Sequence, residues 1–360
     1  MGRWVRSKMS HSAKVQLRCW ALGVGAALAF GFTGIRIDPP SMLYPVIGDV
    51  EFAHDPSAIK AGKLWYVFTT GRAPDGGLLG IRTSDDLIHW KLAGHVFDKM
   101  PDWITKASPR TRDLWAPDIS HGNGEFRLYY AYSLFGRNTS GVGLATNKTL
   151  DPKNPNYKWE DKGLVLASTT TDDYNAIDPN YVKDEEGRAW LVLGSFWSGI
   201  KMWELDPATG KPLASNPTKY SLAARSRHTV RVSPDAKLPP DNTAIEAPYI
   251  VHHGSYYYLF VSWDMCCRGL QSNYKTVVGR SKEVTGPYVD QNGVPMADGG
   301  GTLLLGPGDK WVGAGGESVL MQRGAPDLIF FHAYSKVDGR PSLEVSTISW
   351  QDGWPTVSNG

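Results

Sequence analysis

Five stretches of the chain repeat one order of polar and apolar positions. Each begins with a short segment holding an acid near its start: HDPSAI (54–59), WAPDIS (115–120), AIDPNYV (176–182), AIEAPYI (244–250) and GGESVL (315–320). A glycine-containing turn follows within ten residues, and then an aromatic-rich run: KLWYVFTT, EFRLYYAYS, RAWLVLGS, SYYYLFVSW and DLIFFHAY. β-Branched and aromatic runs bounded by glycine predict hairpins. A third apolar run closes each unit (LLGIRTS, GVGLATN, GIKMWEL, TVVGRSK, LEVSTIS), and three units add a fourth (WKLAGHVF, KGLVLAS, GTLLLG). The acids Asp55, Asp118, Asp178, Glu246 and Glu317 stand 63, 60, 68 and 71 residues apart. Three or four antiparallel strands repeated five times predict an all-β, five-bladed β-propeller forming one domain over residues 37–360.

A propeller explains why carboxylates recur at strand entries. Equivalent positions of the innermost strands face one central channel, so acids distant in sequence meet at its mouth. A single Asp-Pro is usually turn chemistry. Three in phase, DP at Asp55, DP at Asp178 and EAP at Glu246, point to function instead. Asp118 and Glu317 have different flanks and read as structural. Proline at these entries limits the backbone and removes a donor where the strand begins.

The N-terminus breaks the pattern. Arg3, Arg6, Lys8, Lys14 and Arg18 precede an apolar run over 19–35, which reads as a secretory leader with Ala27-Leu28-Ala29 as its cleavage site, or as an uncleaved signal anchor, within residues 1–36. Secretion or a periplasmic location follows. No other segment reads as a membrane span. With Cys19 in the leader, Cys266 and Cys267 are left, and adjacent cysteines cannot staple distant loops. Packing as buried thiols is favoured over a vicinal disulfide.

Composition and charge narrow the chemistry. The 39 Gly, 24 Pro, 14 Trp and 16 Tyr suit a turn-rich β protein whose rings can stack on sugars. A net charge of +2, scattered along the chain, leaves no basic stripe for nucleic acid. No GxSxG elbow, Walker loop, HExxH or DxDxDG loop occurs, HHG at 252–254 reads as a turn, and DGGGTLLLG (298–306) as a loop leading into a strand. Two carboxyl groups across a cleft are the minimum apparatus for glycosidic cleavage, and a third raises the pKa of the acid by repulsion. Trp115 and Phe135 are placed near the same mouth.

Together, HDPS, WAPD, AIDP, the EAP motif with its YYYLFVS strand, GSFWSGI (194–200), CCRG (266–269) and FHAY (331–334) resemble glycoside hydrolase family 43, and within it the arabinanases, over about residues 47–355. The resemblance implies hydrolysis of α-1,5-linked L-arabinofuranose in arabinan or arabino-oligosaccharides, with inversion. It implies Asp55 as general base, Glu246 as general acid, and Asp178 as the residue that orients Glu246 and raises its pKa. His332 would lie beside a central cation, commonly Ca2+, reached largely through water, and no organic cofactor is implied. Trp115 and Phe135 would be sugar platforms, with Asn175, Ser195 and Phe196 lining the cleft. The segment WVGAGGESVL (311–320) departs from the pattern: Gly315 and Gly316 stand where related enzymes often carry a histidine. Endo action on a monomer is the leading reading. Exo action, an arabinofuranosidase or β-xylosidase, and a non-catalytic carbohydrate-binding propeller are the alternatives.

Overall fold

The computed structural model describes residues 39–225 and 244–359, so the predicted leader lies outside the described residues. Five antiparallel sheets follow one another along the chain. The first blade contains Ser57–Ala61, Leu64–Arg72, Leu78–Ser84 and His89–Phe97, and the second Trp115–Gly122, Glu125–Tyr132, Ser140–Asn147 and Glu160–Ser168. The third has Asn180–Lys183, Ala189–Leu193 and Ile200–Asp206, with two short outer strands, Lys211–Pro212 and Tyr220–Ala223. Ile245–His253, Tyr256–Trp263, Lys275–Ser281 and Thr302–Leu305 form the fourth, and Trp311–Leu320, Asp327–Ser335, Pro341–Gln351 and Trp354–Thr356 the fifth. Each first strand packs beside the first strand of the next blade, and that of the fifth beside that of the first. The ring is a five-bladed β-propeller.

The core lies in layers between the blades. Tyr66, Phe68 and Leu78 of the first blade meet Ile119, Leu128 and Tyr130 of the second in one cluster. Similar layers fill the following seams, and the last seam packs Val67 and Trp90 of the first blade against Phe330 and Leu343 of the fifth. Trp90 and Phe330 meet edge to face at 6.2 Å. Because middle blade strands are covered on both faces, Ser140–Asn147 and Ala189–Leu193 are buried from end to end. Their sequences therefore read as near-continuous apolar or small runs instead of alternating ones.

An N-terminal strap closes the ring. Tyr44 N–H donates to the Val345 carbonyl (2.9 Å), Thr347 N–H to that of Met42 (2.9 Å) and Leu343 N–H to that of Val50 (2.9 Å), which adds the strap to the outer edge of the fifth blade. Within the same strap, Ile47–Gly48 pairs in parallel with His89–Phe97 on the outer edge of the first blade. Two details differ from the sequence reading. His252 and His253 finish a strand, and the turn starts at Gly254. A short helix, Asp102–Ala107, joins the first two blades and buries Ile104. Six residues with one buried position give no helical period to detect. Among the described residues no helix is long and apolar enough to cross a membrane.

Candidate active site

The innermost strands enter the ring through one repeated backbone conformation. Asp55, Ala116, Asp178, Ala247 and Gly316 have φ of 47°, 41°, 58°, 51° and 60°. The first four are each followed by proline, and all five line one small axial cavity of about 30 Å³. Four left-handed non-glycine residues at equivalent positions mark strain that the ring holds in place. These positions are 61, 62, 69 and 69 residues apart, which corrects the phasing read from the acids. Asp55 and Asp178 occupy the repeated position itself. Glu246 precedes it by one residue, Glu317 follows it by one, and Asp118 by two.

The offsets separate the acids by role. Asp118 is turned into the seam with the third blade, where Oδ2 accepts the Tyr181 N–H (2.7 Å) and Oδ1 the Asn180 amide (3.3 Å). Equivalent rungs cross two other seams: Ile119 N–H donates to Ser57 Oγ (3.0 Å) and Ile250 N–H to Asn180 Oδ1 (2.9 Å). Asp118 is thus a cross-link between blades. Glu317 accepts hydrogen bonds from Ser262 Oγ (2.8 Å) and Thr276 Oγ1 (2.9 Å), while its Oε1 is buried with no partner among the described residues.

Above the axial cavity opens a cleft of about 330 Å³ built from the first four blades. Asp55, Asp178 and Glu246 line it, as do Trp115, Phe135, Asn175, Ser195 and Phe196. Phe135 stands at the rim with 71% of its surface exposed, while Asn175 Oδ1 and Trp197 Nε1 are buried without partners among the described residues. His332 is not part of the lining. It is fully buried behind Asp55, accepts the Asp55 N–H at Nδ1 (3.2 Å), and lies 4.3 Å from the His54 ring.

Each carboxylate has its own setting. Asp55 Oδ2 accepts the Thr70 hydroxyl at 2.6 Å. Burial raises its pKa, against the pull of His54 and the Thr70 hydrogen bond. Glu246 accepts Ser195 Oγ at Oε2 (2.7 Å) and the Tyr274 hydroxyl at Oε1 (2.9 Å). Burial pushes it up to about 7, with the two hydrogen bonds opposing and the Asp55 charge adding to the rise. Asp178 is raised well above the usual carboxylate range, first by burial and then by the charges of Glu246 and Asp55. Its Oδ2 accepts the Ala247 N–H (3.1 Å), so it reaches Glu246 through the adjoining backbone. Where two buried acids repel each other, loss of the proton from one raises the pKa of the other.

Three features escaped the sequence. Thr70 closes a run legible only as a strand, and Tyr274 ends the loop between the second and third strands of the fourth blade. Cys266 and Cys267 are joined as a vicinal disulfide on the cleft wall, one half-buried and the other exposed, which corrects the expectation of buried thiols. The departure at Gly315 and Gly316 also has a steric reason. A Cβ on Gly315 would lie 2.4 Å from the Tyr274 ring, and one on Gly316 2.6 Å from Asp55 Oδ1 and 2.8 Å from His332.

The sequence profile described as Glycosyl hydrolases family 43 matches residues 45–355. The extracellular exo-α-(1→5)-L-arabinofuranosidase of Cellvibrio japonicus is 41% identical over 308 residues, covering 84% of this chain and 86% of the relative. The extracellular endo-α-(1→5)-L-arabinanase 1 of Bacillus subtilis is 40% identical over 308 residues, covering 85% and 88%. Among solved structures, an α-L-arabinanase of Cellvibrio cellulosa in complex with arabinohexaose superposes with a TM-score of 0.79 at 40% identity, covering 85% of this chain and 95% of that one.

Proposed function

Because this chain belongs to glycosyl hydrolase family 43, we propose that it hydrolyses the α-1,5-L-arabinofuranosidic linkages of arabinan, cutting within the polymer. It is a glycoside hydrolase of the arabinanase type. The observation that carries the reading is the convergence of Asp55, Asp178 and Glu246 in one cleft alongside the aromatic faces of Trp115 and Phe135. In the mechanism we propose, Asp55 removes a proton from the attacking water while Glu246 protonates the departing sugar oxygen, and the anomeric carbon inverts. Asp178 fixes the backbone beside Glu246, and burial with the nearby Asp55 charge favours retention of the proton that Glu246 gives up. Ser195 and Tyr274 hold the two oxygens of Glu246 in a single orientation. Asn175 and Phe196 complete the walls that exclude water around the sugar.

A hydrated Ca2+ beside His332 is a further part of the proposal. His54, Asp55 and His332 offer donor atoms within 4.8 Å of one another. The unpartnered Glu317 Oε1 and the neighbouring carboxylates suit a hard cation that prefers oxygen. When bound, it would supply positive charge beneath the carboxylates. Chelation should lower both the melting temperature and the rate, with calcium restoring them; no change in either would remove the cation from the reading.

Relatives named extracellular support export of this chain, and we propose that it acts outside the cytoplasm as a monomer. The deciding experiment is the early product profile of the purified chain on linear α-1,5-arabinan. A ladder of mixed oligosaccharides is expected, and its loss in Glu246→Gln. A single short product would establish exo action, and no product from the unmodified chain would overturn the assignment.

A further inference from the structure

Thr70 has a hydrogen-bonding arrangement that leaves its hydroxyl no choice of direction. A hydroxyl carries one proton and two lone pairs, and a backbone N–H can only donate. Ala116 N–H lies 2.6 Å from Thr70 Oγ1, so the oxygen accepts there, and its proton is directed to Asp55 Oδ2, also at 2.6 Å. A backbone donor of the second blade is thereby wired, through a side chain of the first, to a carboxylate in the cleft. The donor belongs to the repeated left-handed position of the second blade and follows Trp115, which lines the cleft.

The same wiring occurs once more in the described ring. Gly316 N–H donates to Ser262 Oγ (2.9 Å), and Ser262 Oγ donates to Glu317 Oε2 (2.8 Å). Two other seams dispense with the hydroxyl: Asp178 itself accepts the Ala247 N–H, and His332 accepts the Asp55 N–H. Of the two hydroxyl relays, that of Thr70 ends on a carboxylate lining the cleft, and that of Ser262 ends on one lining the axial cavity. The relay is therefore a device of this fold, and at the seam between the first and second blades it reaches the reacting groups.

We propose that Thr70 is a positioning residue for the hydrolysis: its directed hydroxyl fixes the plane of the Asp55 carboxylate relative to the backbone that presents Trp115. This rests on the reading of Asp55 as the residue that activates water. A carboxylate free to rotate would still bind near the sugar but would meet the water in a productive geometry less often. The effect thus falls on kcat more than on KM.

The test compares Thr70→Val, which keeps the shape without the hydroxyl, with Thr70→Ser, which keeps both hydrogen bonds, on the glycoside that the unmodified enzyme turns over best. Thr70→Val should lose on the order of 10²-fold in kcat with KM within about threefold, and Thr70→Ser should stay within about threefold of the parent in both. Should Thr70→Val not fold, Thr70→Ala is read for the same split, with a thermal melt to confirm folding. The proposal is overturned if the hydroxyl-free variant keeps its kcat, if its loss lies in KM alone, or if Thr70→Ser is as impaired as Thr70→Val. An unmodified chain inactive on arabinan but active on another glycoside would sink the substrate assignment and leave this comparison intact.

Discussion

Gly316 and Gly62 share a φ of 60° and differ in what surrounds them, which makes them a matched pair for separating backbone strain from crowding at the site. An alanine at either position enters the left-handed region, at a cost of roughly 1–2 kcal/mol. At Gly62 the new Cβ meets nothing within 4 Å. At Gly316 it lies 2.6 Å from Asp55 Oδ1 and 2.8 Å from His332, which is 0.8 and 0.6 Å short of the 3.4 Å at which ordinary contact begins. His332 cannot retreat, because it is fully buried with its ring against those of His54 and Tyr274. Asp55 has to move, against its hydrogen bond from Thr70. Overpacking of this kind adds roughly 1–3 kcal/mol, so Gly316→Ala should cost about 2–5 kcal/mol in all. At about 2 °C per kcal/mol for a domain of this size, the melting temperature should fall by roughly 2–4 °C in Gly62→Ala and roughly 4–10 °C in Gly316→Ala. Displacing the base by most of an ångström should also lower kcat by on the order of 10²-fold, while Gly62→Ala keeps full activity. Equal melting shifts with unchanged kcat in both variants would refute the crowding argument and the placement of Asp55 beside Gly316.

Other expectations are simpler to check. Ser195→Ala removes a hydrogen bond that holds the Glu246 pKa down, so the acid stays protonated to higher pH and the alkaline limb of kcat/KM should move upward from its position in the parent; an unmoved or lowered limb would count against Glu246 as the proton donor. Phe135→Ala should raise KM roughly 2- to 10-fold, as loss of an aromatic contact does, with little change in melting temperature because the ring is 71% exposed; an unchanged KM would remove it as a platform. Thiol titration of the unfolded, unreduced chain should find neither Cys266 nor Cys267 reactive, and both after reduction; two reactive thiols beforehand would contradict the vicinal disulfide.

The propeller could be read from the sequence because its blades repeat a hydrophobic order that survives divergence of the residues themselves. Trp65 to Thr70 and Tyr257 to Ser262 differ in detail yet fill the same second strand. What could not be read was register. The spacing of the acids stood in for the repeat because each lies near a strand entry, whereas the structural repeat is a left-handed backbone position occupied by Asp, Ala, Asp, Ala and Gly. Backbone conformation leaves a faint trace in residue type, and the prolines after the first four were its visible mark. The candidate acids were legible through those prolines. Thr70 and Tyr274 were not, since a hydroxyl that bonds across a seam between blades looks in sequence like any other strand or loop residue.

The strap has a consequence for the order in which the molecule can be made. Met42 N–H donates to Thr347 Oγ1 across 305 positions of sequence, so the first part of the domain to be synthesised completes its pairing with nearly the last. At roughly 5–20 residues per second, the strap waits about 15–60 s for its partner strand to emerge. Contacts this distant in sequence slow folding, because the chain must close a long loop before gaining from them. During that interval the outer edge of the first blade can pair with Ile47–Gly48, whereas the edge reserved on the fifth blade does not yet exist. Ring closure is thus a late event that waits for the fifth blade, while pairing within the first blade can come early.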